Sequence, residues 1–195
     1  MSRSDVELAV SLGTLVVTIG GLLGLFLQLR SATRAQVRDH ERQRKQATLD
    51  AYMDSHEYRV NVWKNMPNDR DTAAVWRFCP SPDATDHPAF DLVVAHLNFF
   101  ENFAIGARHD VYDPQVLDAL VGDRLVAAWV SYEPFIRGRR ELLGAHRIWE
   151  GLEQLAKDLF DERRSEPWLI AALELRRGNA SLDNLEPNLN GSAGT

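Results

Sequence analysis

Residues 89–105 read AFDLVVAHLNFFENFAI. Apart from Asp91, His96, Asn98, Glu101 and Asn102, every position is apolar, and no alternation with period two runs through the stretch. At 100° per residue, Asp91, Ala95, Asn98 and Asn102 line up as one narrow polar edge. A helix with so little polar surface is surrounded by other elements, so this stretch is the expected central helix of an all-α body. Two residues leave the polar edge. Glu101 falls between Phe90 and Val94, and His96 falls among Leu92, Phe100 and Phe103, on a different side. Both are therefore candidate buried polar residues of the core.

A carboxylate or imidazole removed from water needs a partner or a change of charge state. For Glu101 the expected partners are Arg108, Arg124, Arg137, Arg139 or Arg140. Glu101 or His96 as a general acid or base is the sharper reading. A buried polar contact that fixes how helices cross is the preferred one, and no catalytic residue is assigned.

Working outward, helical periodicity continues in both directions. Leu49, Met53, His56, Val60 and Trp63 form a stripe that ends before Pro67 and is expected to face the core. Residues 67–88 carry Pro67, Pro80, Pro82 and Pro88 and read as loop, with a short helix near residues 73–78. Asp113-Pro114 is an N-cap with proline at the first helical position, and Gly122 is expected to end that helix. Leu125, Trp129, Tyr132 and Ile136 mark the next helix, which Pro134 should kink. Ile148, Leu152, Leu155 and Leu159 mark a strongly amphipathic helix. Pro167 should open or kink a last helix ending near Gly178, before a polar tail over 179–195 that is expected to be disordered.

The N-terminal end has different chemistry. Residues 8–29 hold no charged side chain in 22 positions, and thirteen of them are Leu, Val, Ile or Phe. As a helix this segment reaches about 33 Å, enough for a hydrocarbon core of about 30 Å. It reads as a transmembrane helix rather than a signal peptide, whose apolar core would be shorter and followed by a small-x-small site. Arg30, Arg34, Arg38, Arg42, Arg44 and Lys45 follow the span, whereas only Arg3 precedes it. The positive-inside rule then places residues 1–7 outside and the remainder in the cytoplasm of a cell membrane. Residues 30–45 form a basic helical neck and 46–178 a cytoplasmic helical bundle. Arg30 and Arg34 are the candidate contacts to anionic headgroups. Gly20 and Gly24 form a small-xxx-small candidate packing face, which leaves a homo-oligomer open.

The chain has 195 residues and a formal net charge of -6. That figure blends +3 over residues 1–45 with -9 over 46–195. An acidic body is a poor nucleic-acid binder, so none is expected as a partner. A single cysteine, Cys79, excludes an intramolecular disulfide and any CxxC site. The six histidines show no ligand spacing, and no P-loop, GxGxxG or G-x-S-x-G is present. No cofactor or metal is expected. His109-Asp110 with Asp113 reads as a capped loop, and Arg137-Gly138-Arg139-Arg140 as a solvated basic patch.

The segment Leu97-Asn98-Phe99-Phe100-Glu101-Asn102-Phe103-Ala104-Ile105-Gly106, followed by Val111-Tyr112-Asp113, resembles a bacterial family known only as a domain of unknown function. Trp129, Pro134-Phe135-Ile136, Arg139-Arg140 and Trp149-Glu150-Gly151-Leu152-Glu153 extend the resemblance. It implies an N-terminal membrane helix, a charged neck and a cytoplasmic helical domain, and assigns no catalytic residue. The expected function is a membrane-tethered interaction or regulatory module with a protein partner of unknown identity. A membrane effector acting through span assembly, for example in phage defence, is the alternative, and an enzyme using Glu101 or His96 is less favoured.

Overall fold

The computed structural model describes the backbone of residues 3–183 and the side chains of 20–178. Every regular element among them is helical: α1 Arg3–Asp54, α2 His56–Lys64, α3 Thr72–Phe78, α4 Phe90–Arg108, α5 Pro114–Leu143, α6 Glu150–Phe160, a 3-10 turn Asp161–Arg163, and α7 Pro167–Asp183. The chain divides into two compact units, 1–44 and 45–195.

In the first unit, Leu22, Leu23, Leu25, Phe26, Leu27 and Leu29 are all exposed, at 58–69% of their full area. Arg30, Arg34, Arg38 and Arg42 are exposed as well. Among the described residues no helix is long and apolar enough to cross a membrane. Residues 8–19 of the expected span lie outside those whose side chains are described, and the ten that remain reach only about 15 Å.

In the second unit α4, α5 and α6 pack on one another, α2 lies on α4, and α3 and α7 lie on α5 and on each other. Leu97 and Phe100 of α4, Leu125, Tyr132 and Ile136 of α5, and Leu152 of α6 are wholly buried. Phe99 meets Phe100, Phe103, Tyr58 and the edge of Trp63 at centroid separations of 5.0–6.0 Å. Aromatic pairs at such separations add about 0.5–1.5 kcal/mol beyond the area they bury. The apolar run 89–105 is thus the central helix, as its composition requires.

Two expectations are corrected. Gly122 does not end a helix; it lies inside α5, which runs unbroken from Pro114 to Leu143. A Cβ there would collide with the Asp118 carboxylate and the Arg163 guanidinium, so glycine is set by packing rather than termination. Pro134 sits inside the same helix without breaking it. The indole N–H of Trp76 donates to the Ser131 carbonyl at 3.0 Å, supplying a donor next to the turn where proline has none. The Leu49, Met53, His56, Val60 stripe faces outward. Leu49 is 41%, Met53 65% and Val60 48% exposed, and only Trp63 of that stripe packs on the core. The inward face instead carries Thr48, Ala51, Tyr52, Arg59 and Val62. Polar residues can occupy it because each is bonded. The Thr48 hydroxyl accepts from the Asp113 N–H at 2.7 Å. The Arg59 guanidinium donates to the Tyr52 carbonyl at 2.8 Å and lies 3.5 Å over the Tyr52 ring. At the other end, α7 continues to Asp183, so residues 179–183 are helical; the rest of the expected tail lies outside the described residues.

Candidate functional site

Glu101 and His96 do not meet; each organises its own side of α4. On the Glu101 side stands the start of α6. A helix leaves its first N–H groups without internal partners and concentrates partial positive charge there. The N-cap of α6 is Trp149, in a left-handed conformation at φ 55°, and its side chain cannot cap. Glu101 does so from α4. The Gly151 N–H donates to Oε1 at 3.1 Å and the Leu152 N–H to Oε2 at 2.6 Å. One turn earlier on α4, Asn98 Oδ1 accepts the Trp149 indole N–H at 2.8 Å. Gly151 eases this approach, since a Cβ there would lie 3.2 Å from both carboxylate oxygens and the Glu101 side chain would have to give by a few tenths of an ångström. From α5, Arg140 donates to the Ile148 carbonyl at 2.8 Å and to Glu153 at 2.7 Å. The partner of Glu101 is therefore a helix terminus and none of the five expected arginines. Both carboxylate oxygens are occupied by the backbone they position.

On the His96 side, four side chains close a ring. The Trp63 indole N–H donates to His96 Nδ1 at 3.3 Å, so Nδ1 is the acceptor and Nε2 carries the proton. Nε2 donates to Asp69 Oδ1 at 2.8 Å, with both residues 1% exposed. Arg124 Nε donates to Asp69 Oδ2 at 3.1 Å, and its guanidinium lies 3.7 Å over the Trp63 ring. The Ser131 hydroxyl holds the Asp69 carbonyl at 2.8 Å. An aspartate-histidine pair is also the orienting half of a nucleophile-activating site. Here the second ring nitrogen is taken by an indole, so no nucleophile is in reach of it. The ring joins α2, the loop after it, α4 and α5. Sequence reasoning missed Asp69 and Trp63, because a loop aspartate near Pro67 carries no pattern. The only available signal was that a buried histidine needs two partners.

The remaining candidates separate. Among the described residues, no heavy atom outside the helix's own backbone would lie within 4 Å of a Cβ on Gly20 or Gly24. Arg30 and Arg34 are exposed. In the basic patch, Arg139 donates to the Pro82 carbonyl at 2.9 Å, Gly138 abuts Pro82, and Arg140 belongs to the α6 contact. Only Arg137 remains a solvated patch residue. Asp110 is left-handed at φ 56°, and Asp113 caps α5 through the Gln115 and Val116 N–H groups. Among the described residues, no three His, Cys, Asp or Glu side chains are grouped to hold a metal. A groove of about 350 Å³ opens beside Pro134, lined by Trp76, Cys79, Pro82, Phe135 and the Arg176–Glu133 pair at 2.9 Å. Burial pushes the Cys79 thiol up to about 12. Burial first, then the negative charges of Asp69 and Cys79, raises the Tyr132 phenol well above its ordinary value.

A family model described as a domain of unknown function, DUF4760, matches residues 14–159. The chain belongs to this family. The DUF4760 match runs through α4, α5 and almost all of α6, and so takes in Asn98, Glu101, Trp149 and Gly151 together. It begins within the apolar segment and stops before α7. No curated protein and no solved structure matches the chain.

Proposed function

We propose that the chain is a membrane-anchored interaction module. Residues 8–29 cross the cell membrane with the N-terminus outside, Arg30 and Arg34 meet anionic headgroups, and residues 46–178 present a helical body to a protein partner in the cytoplasm. The observation that carries this reading is the apolar surface of α1. Six large apolar residues between 22 and 29 are each more than half exposed over an arc of about 200° of the helix, the remaining side carries only the uncharged Gly21, Gly24 and Gln28, and arginines follow at four-residue spacing. In water such a surface costs about 25 cal/mol per Å² of apolar area relative to burial, so it calls for a cover. Lipid covers a helix on all sides at once, whereas a folded domain covers one face. The family match supports the reading by including residues 14–29, the neck and the body in one unit.

The body supports a binding role over a chemical one. Both titratable residues singled out on α4 are engaged in holding helices together. Reporter fusions at the C-terminus test the topology: a fluorescent protein should glow and a periplasmic phosphatase should be inactive. The reverse pattern would overturn it. The full chain, extracted in mild detergent, should retain a stoichiometric partner, and recovery of the chain without one argues against a module.

A further inference from the structure

The groove beside Pro134 is walled by α3, the loop that follows it, the middle of α5, and α7, all within the 45–195 unit. Its volume of about 350 Å³ is at the small end of ligand sites and equals that of about a dozen waters. Pro80, Pro82 and Pro134 have no backbone N–H, and the Trp76 indole N–H is already held by the Ser131 carbonyl at 3.0 Å. These walls, with buried Phe135 between them, therefore offer apolar surface and no N–H donor. Burial keeps the Cys79 thiol beside them uncharged, pushing it up to about 12. The wall at Pro82 is fixed in place. Arg139 donates to its carbonyl at 2.9 Å, and a Cβ on Gly138 would collide with the proline ring, so the ring packs directly on α5.

The mouth of the groove is charged. Arg176 donates to Glu133 Oε2 at 2.9 Å, which engages that carboxylate. Arg137 stands 4.0 Å from Glu133 Oε1, beyond hydrogen-bond distance, and is 66% exposed. Two arginines against one glutamate leave one surplus positive charge among the lining residues, in a body whose net charge is -9. We infer that this groove binds a small organic acid, with its carboxylate on Arg137 and its apolar part between Trp76, Phe135 and the prolines.

A guanidinium matches a carboxylate through two parallel N–H···O bonds, which fixes the orientation of the acid as well as its charge. A cation would meet two guanidiniums and a carboxylate that is already paired. A phosphate ester carries about two negative charges, more than the one surplus charge balances. A single carboxylate on an apolar body fits both the charge and the walls. The site is built from α3, α5 and α7 alone, so it does not depend on the membrane anchor.

Fluorine NMR titration of fluorophenylbutyrate with the full chain in detergent, against empty micelles, tests the site. The acid should bind, and its primary amide, of the same shape but uncharged, should bind about tenfold more weakly. Arg137→Gln removes an exposed side chain, so folding is preserved, and it should weaken the acid about tenfold while leaving the amide unchanged. Arg147→Gln, at an arginine 83% exposed and outside the groove, should change neither. Bound acid should also slow alkylation of Cys79, the single cysteine and a lining residue, severalfold. No binding of the acid at millimolar concentration, equal binding of acid and amide, equal losses in the 137 and 147 variants, or a Cys79 that the acid does not protect would each overturn the proposal.

Discussion

Replacing Glu101 by glutamine keeps the shape of the side chain and removes its charge. In the native structure the two oxygens accept the Gly151 and Leu152 N–H groups at 3.1 and 2.6 Å. Glutamine has one oxygen, so one N–H keeps an acceptor and the other faces an NH₂ group. A hydrogen bond to a charged group contributes about 1.5–3 kcal/mol, and a charge at a helix N-terminus about 0.3–1 kcal/mol more. Leu152 is wholly buried, so water does not replace what its N–H loses. The expected cost is about 2–3 kcal/mol, and for a body of this size about 5–10 °C in Tm. Thermal unfolding followed by far-ultraviolet circular dichroism, on the full chain in detergent, measures it. Glu150→Gln serves as the control, because Glu150 bonds only Arg147 and, weakly, Gln154 at the surface. It should shift Tm by less than about 2 °C. An unchanged Tm for Glu101→Gln, together with loss of a cellular phenotype, would refute the structural role and make Glu101 a reacting group.

Gly106→Ala places a Cβ inside the Tyr112 ring, which is itself packed on Phe103 at 5.3 Å. Overpacking against a rigid ring should destabilise by about 1–3 kcal/mol in urea unfolding, and a neutral result would contradict the packing described. Cys79, pushed up to about 12 by burial, should react with iodoacetamide at pH 8 about a thousandfold more slowly in the folded chain than in urea. Equal rates would show the thiol to be open. Burial opposes the charge on Glu153, but the hydrogen bonds from Lys157 and Arg140 outweigh it and lower its pKa. A lowered folded pKa gives stability that is present above the unfolded value, about 4.3, and lost as pH falls through the folded one. The Tm gap between wild type and Glu153→Gln should therefore be largest near pH 7 and close below about pH 4. A gap that widens in acid would reverse the assignment.

How far the sequence predicted these features depended on whether a pattern was tied to one physical cause. The run 89–105 has one explanation, burial on nearly all sides, and α4 is that helix. Asp113-Pro114 likewise has one meaning, and α5 starts there. The stripe at Leu49 to Val60 has two, because an apolar stripe at helical spacing looks the same whether it faces the core or the outside. Polar Thr48 and Arg59 took the inward side through bonds to distant residues that no local pattern announces. Gly122 was ambiguous in the same way, since glycine marks both helix ends and close approach. The place of Glu101 on the wheel marks it as a polar residue that needs a partner, but not which partner it has. The expected partners were charged side chains, while the partner is the positive end of a helix fifty residues away. The resemblance carried by the segments around Glu101 and Gly151 becomes intelligible in the fold, because those two segments are the two halves of one contact.

The central claim, that the exposed apolar helix belongs in a bilayer, is tested most directly by alkaline carbonate extraction of membranes from cells making the full chain. The account predicts that the wild-type chain stays in the pelleted bilayer. It also predicts that Leu23→Arg with Phe26→Arg, at residues 58% and 60% exposed, releases a folded chain to the supernatant. Wild-type chain recovered in the supernatant, with the helical content of the body intact, would contradict it.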